Sequence, residues 1–335
     1  MFTRNPKCSS NSESFFASSQ YPIIFTHTVT IISIPVGIYA LYCLIYVTPN
    51  NMKSAKNHLL NIHFWTMGFD LIFNVLIVPI GFFPSASMAT LGFGYEIGIP
   101  PRFNLYLIQS IVCVIGVTIV GLFENRFSLI HTNPYRIERK CIRYSIFILN
   151  YTLGFTANIP PYFQSPNLDS IRLDFLRSFP CPPKEFFSDK FTVITDDPGY
   201  VTIFMCIQCI IIIPQALFFS LYTAYILVLK PNHSVSAATR KMQITFLIAF
   251  VLQFTIPALL LCFPVFYVWF SVWANYYNME YNNHLVILIG LHGFLSTLCV
   301  ILIHKPYRIH LFSFFKPRPK STLQVSGINS IRNLI

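Results

Sequence analysis

Residues 119–136 read IVGLFENRFSLIHTNPYR. Upstream, from Asn104 to Phe123, no side chain is charged; the run then meets a carboxylate, Glu124, and a guanidinium, Arg126, and continues into Pro134, Tyr135 and Arg136. Twenty uncharged residues at ~1.5 Å each match the ~30 Å hydrocarbon core of a bilayer. The junction therefore reads as a membrane span meeting water. Composition agrees: the 335 residues are 54% hydrophobic, 16% aromatic and only 10% charged, whereas a soluble domain carries about a quarter charged residues.

Seven windows of suitable length and apolarity occur, at about 23–47, 59–83, 104–123, 146–163, 200–229, 244–270 and 284–304. The expected fold is an all-α, seven-transmembrane helix bundle. Asp70 is the one acid well inside a span. Prolines 35, 79, 160, 214, 257 and 264 are tolerated where neighbouring helices satisfy the freed carbonyls, and Pro257 and Pro264 are the expected hinges of the sixth span. A β-barrel needs ten-residue segments that alternate apolar and polar; CIIIIPQALFF (209–219) does not alternate. The first 20 residues have no apolar core, so the first span is expected to serve as the insertion signal.

Orientation follows from Lys and Arg, which are retained on the cytoplasmic side. With the N-terminus outside, sixteen of the 23 basic residues fall in inner loops and tail, and nine of the 12 acids fall outside. The net charge of +11 is thus an asymmetry across a membrane with basic stripes facing anionic lipid, not a nucleic-acid surface. The expected organisation is an extracellular tail (1–22), the helical domain (23–304), an amphipathic inner-leaflet helix (305–317) with Ile309, Phe312 and Phe315 on one face, and a disordered cytoplasmic tail (318–335). Of nine cysteines, only Cys8 and Cys181 face the oxidising side; they either pair or remain two free thiols, and pairing is the expectation. Cys113 lies ~10 Å too deep in the third span to reach Cys181.

FENR (123–126), TPNNMKSAKNHLLNIHFW (48–65), SIPVGIYALYC (33–43) and LHGFLSTLCVILIHKPYR (291–308) resemble the nematode serpentine chemoreceptors of class H, within the seven-transmembrane G-protein-coupled receptors. The resemblance covers nearly the whole chain, and the last segment is its most specific part. It implies a plasma-membrane receptor, in the sensory cilia of chemosensory neurons, that binds a small organic ligand and signals through a heterotrimeric G protein. Three departures from the broader receptor pattern stand out. The seventh span lacks Asn-Pro-x-x-Tyr and has HKPYR (304–308) at its inner end. The sixth has QFTIP (253–257) in place of Trp-x-Pro. In the third, Asn125 separates acid from arginine, so Glu124 and Arg126 point ~200° apart and cannot pair well.

The resemblance makes Glu124, Asn125, Arg126, Pro306, Tyr307 and Arg308 the candidate G-protein coupling and switch residues; the plain alternative for Arg126 is a cation snorkelling to the headgroups. Asp70, which costs several kcal/mol in a bilayer unless paired or hydrated, is expected to meet Asn74, Ser296 or Thr297, with His292 at similar depth; a sodium or water site there is the functional alternative. Candidate ligand contacts, chosen by depth and side-chain type, are Tyr106, Gln109, Gln208, Phe263, Tyr267 and His284. With no ion in the outer halves of these spans, a neutral or weakly polar odorant or pheromone-like ligand is expected.

Enzyme signatures are missing: no phosphate-binding glycine loop, H-E-x-x-H, pair of C-x-x-C motifs at zinc spacing or G-x-S-x-G occurs, and no metal or cofactor is expected. GFGYEIG (92–98) has the wrong spacing for a dinucleotide turn and reads as a flexible outer loop. The outer loop 164–199, rich in Asp and Pro, reads as an ordered lid without a long helix. A secondary transporter, the alternative class, would show related halves and several intramembrane polar sites; seven spans do not divide evenly.

Overall fold

A computed structural model describes residues 14–131, 133–230 and 236–314, apart from the side chains of Asn51, Ile256 and Pro257. Among the described residues, six helical stretches are long and apolar enough to cross a membrane: Gln20–Val47, Lys53–Ile77, Pro101–Leu129, Pro198–Leu229, Ala237–Ala274 and Met279–Ile303. In chain order these contain α1 (Gln20–Tyr42), α2 (Lys53–Leu71), α4 (Pro101–Leu129), α7 (Pro198–Ala224), α8 (Ala237–Ala274), and the pair α9 (Met279–Gly290) and α10 (His292–Ile303). The fourth crossing is α5 (Lys140–Thr156), whose 17 residues rise only ~25 Å. The expected span at 146–163 thus starts six residues earlier and stops before Pro160, which opens a separate turn. Short helices α3 (Phe93–Glu96) and α6 (Leu168–Ser178) lie in the outer loops, and α11 (Lys305–Ser313) follows the seventh span.

Helix starts are written locally. Pro101 opens α4, where a missing N–H costs nothing. Asn167, Asp197, Ser236 and Asn278 accept hydrogen bonds from backbone amides at the starts of α6, α7, α8 and α9, satisfying donors that the first helical turn leaves free. Pro35 and Pro214 lie inside α1 and α7 without ending them. Pro264 is buried within the continuous α8, while the expected hinge role of Pro257 falls on a side chain outside those described.

The bundle core gathers around α4, with Phe69, Phe73, Phe123, Phe127, Phe250 and Tyr307 among its buried members. Asn150 and Gln215 join the fourth and fifth spans by a reciprocal amide pair, 3.1 and 3.0 Å; each amide satisfies the other where no water can.

The outer face departs most from the sequence expectation. The second span ends at Ile77, six residues short of the expected 83. Residues Pro79–Gly81 instead form strand β1, which pairs antiparallel with β2 (Ser87–Thr90), and β2 with β3 (Phe191–Val193). Ile80, Phe82, Phe175, Phe186, Phe191 and Met279 make a second apolar core beneath this sheet. The lid also contains the 11-residue α6, a longer helix than its Pro and Asp content suggests, because Asn167 caps it and Phe175 anchors it against Phe186, 4.9 Å between ring centres. Arg102 fastens the lid to the third span through the carbonyls of Gln164 and Ile194, 2.7 and 3.0 Å.

The stretch 92–98 is fastened too. Gly92 N–H donates to the Ile77 carbonyl at 2.8 Å and Ile99 N–H to that of Gly94 at 2.9 Å. A Cβ on Gly92 would lie 2.5 Å from the carbonyl carbon and oxygen of Leu76. Those are backbone atoms and cannot swing aside. Gly92→Ala is therefore expected to cost ~1–3 kcal/mol by overpacking and lower the thermal midpoint of the detergent-solubilised protein by several degrees. Gly68→Ala, a helical site with nothing within 4 Å, should leave it unchanged or raise it. Equal midpoints for the two variants would show that the outer loop is not fastened there.

Candidate functional site

The inner end of α4 does not stop at Glu124. The helix runs six residues beyond the expected limit of 123, to Leu129, because both charges of the FENR stretch are accommodated within the bundle. Glu124 is buried and receives Arg143 Nη2 at 2.6 Å and Ser128 Oγ at 2.5 Å. Asn125 Nδ2 donates to the Ser54 carbonyl at 3.0 Å. The Arg126 guanidinium lies over the rings of Phe246 and Phe250, 5.1 and 4.8 Å from their centres. Successive residues of a helix point ~100° apart, so three consecutive side chains address three different spans: fourth, second and sixth. The Arg126 guanidinium is thus turned toward the sixth span. Its Nε and Nη2 are buried without a hydrogen-bond partner, and the two aromatic faces supply the attraction, on the order of 2 kcal/mol for a desolvated cation.

Beside this clamp, His304 Nε2 pairs with Gln253 Oε1 at 3.0 Å. Tyr307 is fully buried, and its hydroxyl pairs with that of Thr48 at 2.8 Å. That places the tyrosine of the expected HKPYR contact inside the protein, joining α11 to the first span. Arg308 donates to the Leu302 carbonyl at 3.3 Å, and Pro306 lies in the first turn of α11. Ile309 and Phe312 are 57% and 51% exposed, the outward apolar face a membrane-surface helix needs; Phe315 and the tail 318–335 lie outside the described residues.

At mid-depth the seventh span is interrupted at Leu291, between α9 and α10. Asp70 and Asn74, one turn apart on the second span, face this interruption. Asp70 Oδ1 accepts from Gly293 N–H at 3.1 Å, and Asn74 Nδ2 donates to the Gly290 carbonyl at 2.9 Å. Neither Asn74, Ser296, Thr297 nor His292 is the partner of Asp70, as side-chain chemistry alone suggested; the backbone of the broken helix is. Both glycines are needed for the approach, since a Cβ at Gly290 would lie 2.5 Å from Asn74 Oδ1 and one at Gly293 would run into the Asp70 carboxylate. His292 is fully buried with neither ring nitrogen hydrogen-bonded. It borders a cavity of about 10 Å³ shared with Thr66, Gln253 and Ser296, room for about one water.

The candidate ligand residues divide into three groups. Gln109 accepts from Tyr162 Oη at 2.9 Å, Gln208 accepts from Cys113 Sγ, Asn158 Nδ2 reaches Cys113 Sγ at 3.8 Å, and Tyr106 donates to the Phe155 carbonyl at 3.0 Å. These form one polar, uncharged cluster among the third, fourth and fifth spans. Tyr267 donates to Asn282 at 3.2 Å, and the His284 ring packs on Phe16 and Tyr21, so both lie toward the seventh span and the N-terminal segment. Phe263 is 59% exposed on the outside of the sixth helix, away from the interior pocket that depth alone assigned to it. Tyr162, Cys113 and Asn158 were not among the ligand contacts expected from sequence. Their signal was weak, because each is a single polar residue at a span end or inside an apolar run. Gln208 Nε2 and both polar atoms of Asn104 remain buried without a partner.

Cys181 is disulfide-bonded, seven other cysteines are free, and Cys8 lies outside the described residues. Among those described, no group of three His, Cys, Asp or Glu could hold a metal ion.

Residues 17–317 match the family described as Serpentine type 7TM GPCR chemoreceptor Srh. The chain is also 27% identical over 297 residues to Serpentine receptor class H-72 of Caenorhabditis elegans, a match that covers 87% of this chain and 85% of that one.

The clamp at Leu291 makes a distinctive double-variant test. Gly293→Ala is expected to cost ~1–3 kcal/mol by forcing a methyl into the carboxylate, and Asp70→Ala a similar amount by leaving the Gly293 N–H unpaired. With both changes the methyl has room. The combined loss, followed by denaturant unfolding in one detergent, should then be at least ~1 kcal/mol smaller than the sum. Additive losses would mean that the two residues do not meet.

Proposed function

The chain belongs to the Srh family of serpentine seven-transmembrane chemoreceptors, and on that premise we propose that it is a plasma-membrane receptor that binds a small neutral or weakly polar organic ligand and signals through a heterotrimeric G protein. The observation that carries the coupling half is the position of Arg126 against Phe246 and Phe250 of the sixth span. A guanidinium held by ring faces, with two donors unpartnered, is released whenever the sixth helix moves outward. It then offers its planar fork to a cytoplasmic partner. The family premise adds the sensory cilia of chemosensory neurons as the site of action.

The ligand half rests on the uncharged cluster of Gln109, Gln208, Tyr162, Cys113 and Asn158. Amide and hydroxyl groups that satisfy one another can be re-paired by an odorant carrying a carbonyl or hydroxyl group. A ligand that prefers the state with the opened inner face shifts the population toward it. Tyr106 borders this cluster, while Tyr267 and His284 belong to the opposite wall.

We also propose Cys8 as the partner of Cys181. Cys8→Ser and Cys181→Ser should lower surface expression equally, and the double variant should do no worse than either. Additive losses would argue against the pairing.

For coupling, the decisive comparison is Arg126→Lys. Lysine keeps the charge and the ability to snorkel but not the fork, so surface-labelled receptor should stay near the parental level. G-protein nucleotide exchange driven by an agonist, taken from a screen of volatile and water-soluble odorants, should fall ~10-fold or more. Unimpaired exchange by the lysine receptor would remove Arg126 from the coupling role.

A further inference from the structure

On the inner face, next to the Arg126 clamp, a cleft of about 620 Å³ lies between the sixth span, the inner end of the seventh and α11. Met242, Phe246, Ala249, Ile303, Pro306 and Ile309 give it apolar walls, and Lys241 and Lys305 are its charged residues. No acid lines it. Both lysines are exposed, and neither is in an ion pair among the described residues. Its volume is that of a pocket for an organic ligand of substantial size.

We infer that this cleft is a binding site for an anionic lipid of the inner leaflet, with the acidic headgroup between Lys241 and Lys305 and an acyl chain along the apolar wall. Three observations select this occupant. The cleft lies at the cytoplasmic end of the bundle, where the leaflet is anionic. The exposed Ile309 of its rim belongs to the outward apolar face of α11, which a membrane-surface helix turns toward lipid. Finally, the two segments outside the described residues that adjoin the cleft in sequence, 231–235 and 315–335, contain no acidic side chain, so neither supplies a carboxylate side chain to pair the two lysines. Each methylene that leaves water for the wall contributes on the order of the usual transfer free energy, and each lysine near an anionic headgroup strengthens binding about fivefold. A lipid seated there shares Phe246 with the Arg126 clamp, yet its binding requires neither an agonist nor a G protein.

The test uses the full-length receptor in phosphatidylcholine nanodiscs doped with a trace of photoactivatable phosphatidylserine or photoactivatable phosphatidylcholine, the diazirine in the acyl chain. Labelled peptides are mapped by mass spectrometry. The serine lipid is expected to label 238–249 and 303–309 at least ~10-fold more than the choline lipid. Lys241→Gln with Lys305→Gln should remove that preference. Ala249→Phe, which fills the cleft and keeps both lysines, should lower labelling by the serine lipid to the same level, with thermal midpoints confirming that each variant is folded. Equal labelling by the two lipids, or labelling unchanged in both variants, would overturn the inference in favour of ordinary boundary lipid. Absence of labelling, with these peptides protected from hydrogen exchange by added G protein, would overturn it in favour of a protein occupant. Neither lipid readout depends on the receptor's signalling, so failure here is distinguishable from failure of the coupling role.

Discussion

The ~100° step between successive residues of a helix sets the inner half of this protein. Glu124, Asn125 and Arg126 lie on the third span, which has protein on most of its surface: two thirds of its apolar window is buried. One residue therefore reaches the fourth span, the next the second, and the third the sixth. In water such charges would be solvated and the arrangement would have little energetic weight. In a bundle, where each polar group needs an internal partner, the same three residues set which spans are neighbours and how each is turned. The separation of acid and arginine by Asn125 is what permits this division. Glu124 becomes a fixed tie to Arg143, and Arg126 is left with aromatic partners that a moving helix can take away.

The seventh span shows the same rule from the other side. A helix interrupted in hydrocarbon frees an amide and a carbonyl, each costly if unpaired. Asp70 and Asn74 supply one acceptor and one donor at the spacing of a helical turn, and Gly290 and Gly293 let them come close enough. The carboxylate is thereby engaged by backbone, which gives an intramembrane acid a structural task as well as a place near the His292 cavity. Interruption and repair come from different spans. Neither half of the arrangement makes sense alone.

The outer and inner faces are built differently. Outside, a three-stranded sheet and the Phe175–Phe186 core cover the bundle and are tied to the third span through Arg102. Below this cover lies an uncharged polar cluster whose members bond chiefly to one another. Inside, the contacts of Arg126 are aromatic and few, and an open cleft adjoins them. A backbone-paired outer cover over a buried polar cluster, with a cation held by two ring faces at the opposite end, is the arrangement on which the proposed receptor function rests.

The primary sequence alone determined that this is a multi-pass membrane protein and where its crossings fall to within several residues, and it supplied the expected orientation, because apolar length and the Lys/Arg distribution are properties of composition read along the chain. The likeness carried by FENR, TPNNMKS and HKPYR added the family. Partners were another matter. Asp70 was legible as a buried acid, yet its acceptor role toward Gly293 was not, since a backbone amide freed by a distant helix break leaves no mark on the side-chain pattern. Arg126 was legible as a candidate switch, but Phe246 and Phe250 are two phenylalanines among 34 until packing brings them over it. Pro79 read as part of a span because its neighbours are apolar, and became a strand residue only when β2 came to pair with it, β2 being backed in turn by β3 more than 100 residues onward. Hydrophobic content is summed along the chain and survives any rearrangement; pairing depends on which faces meet, and only the tertiary structure decides that.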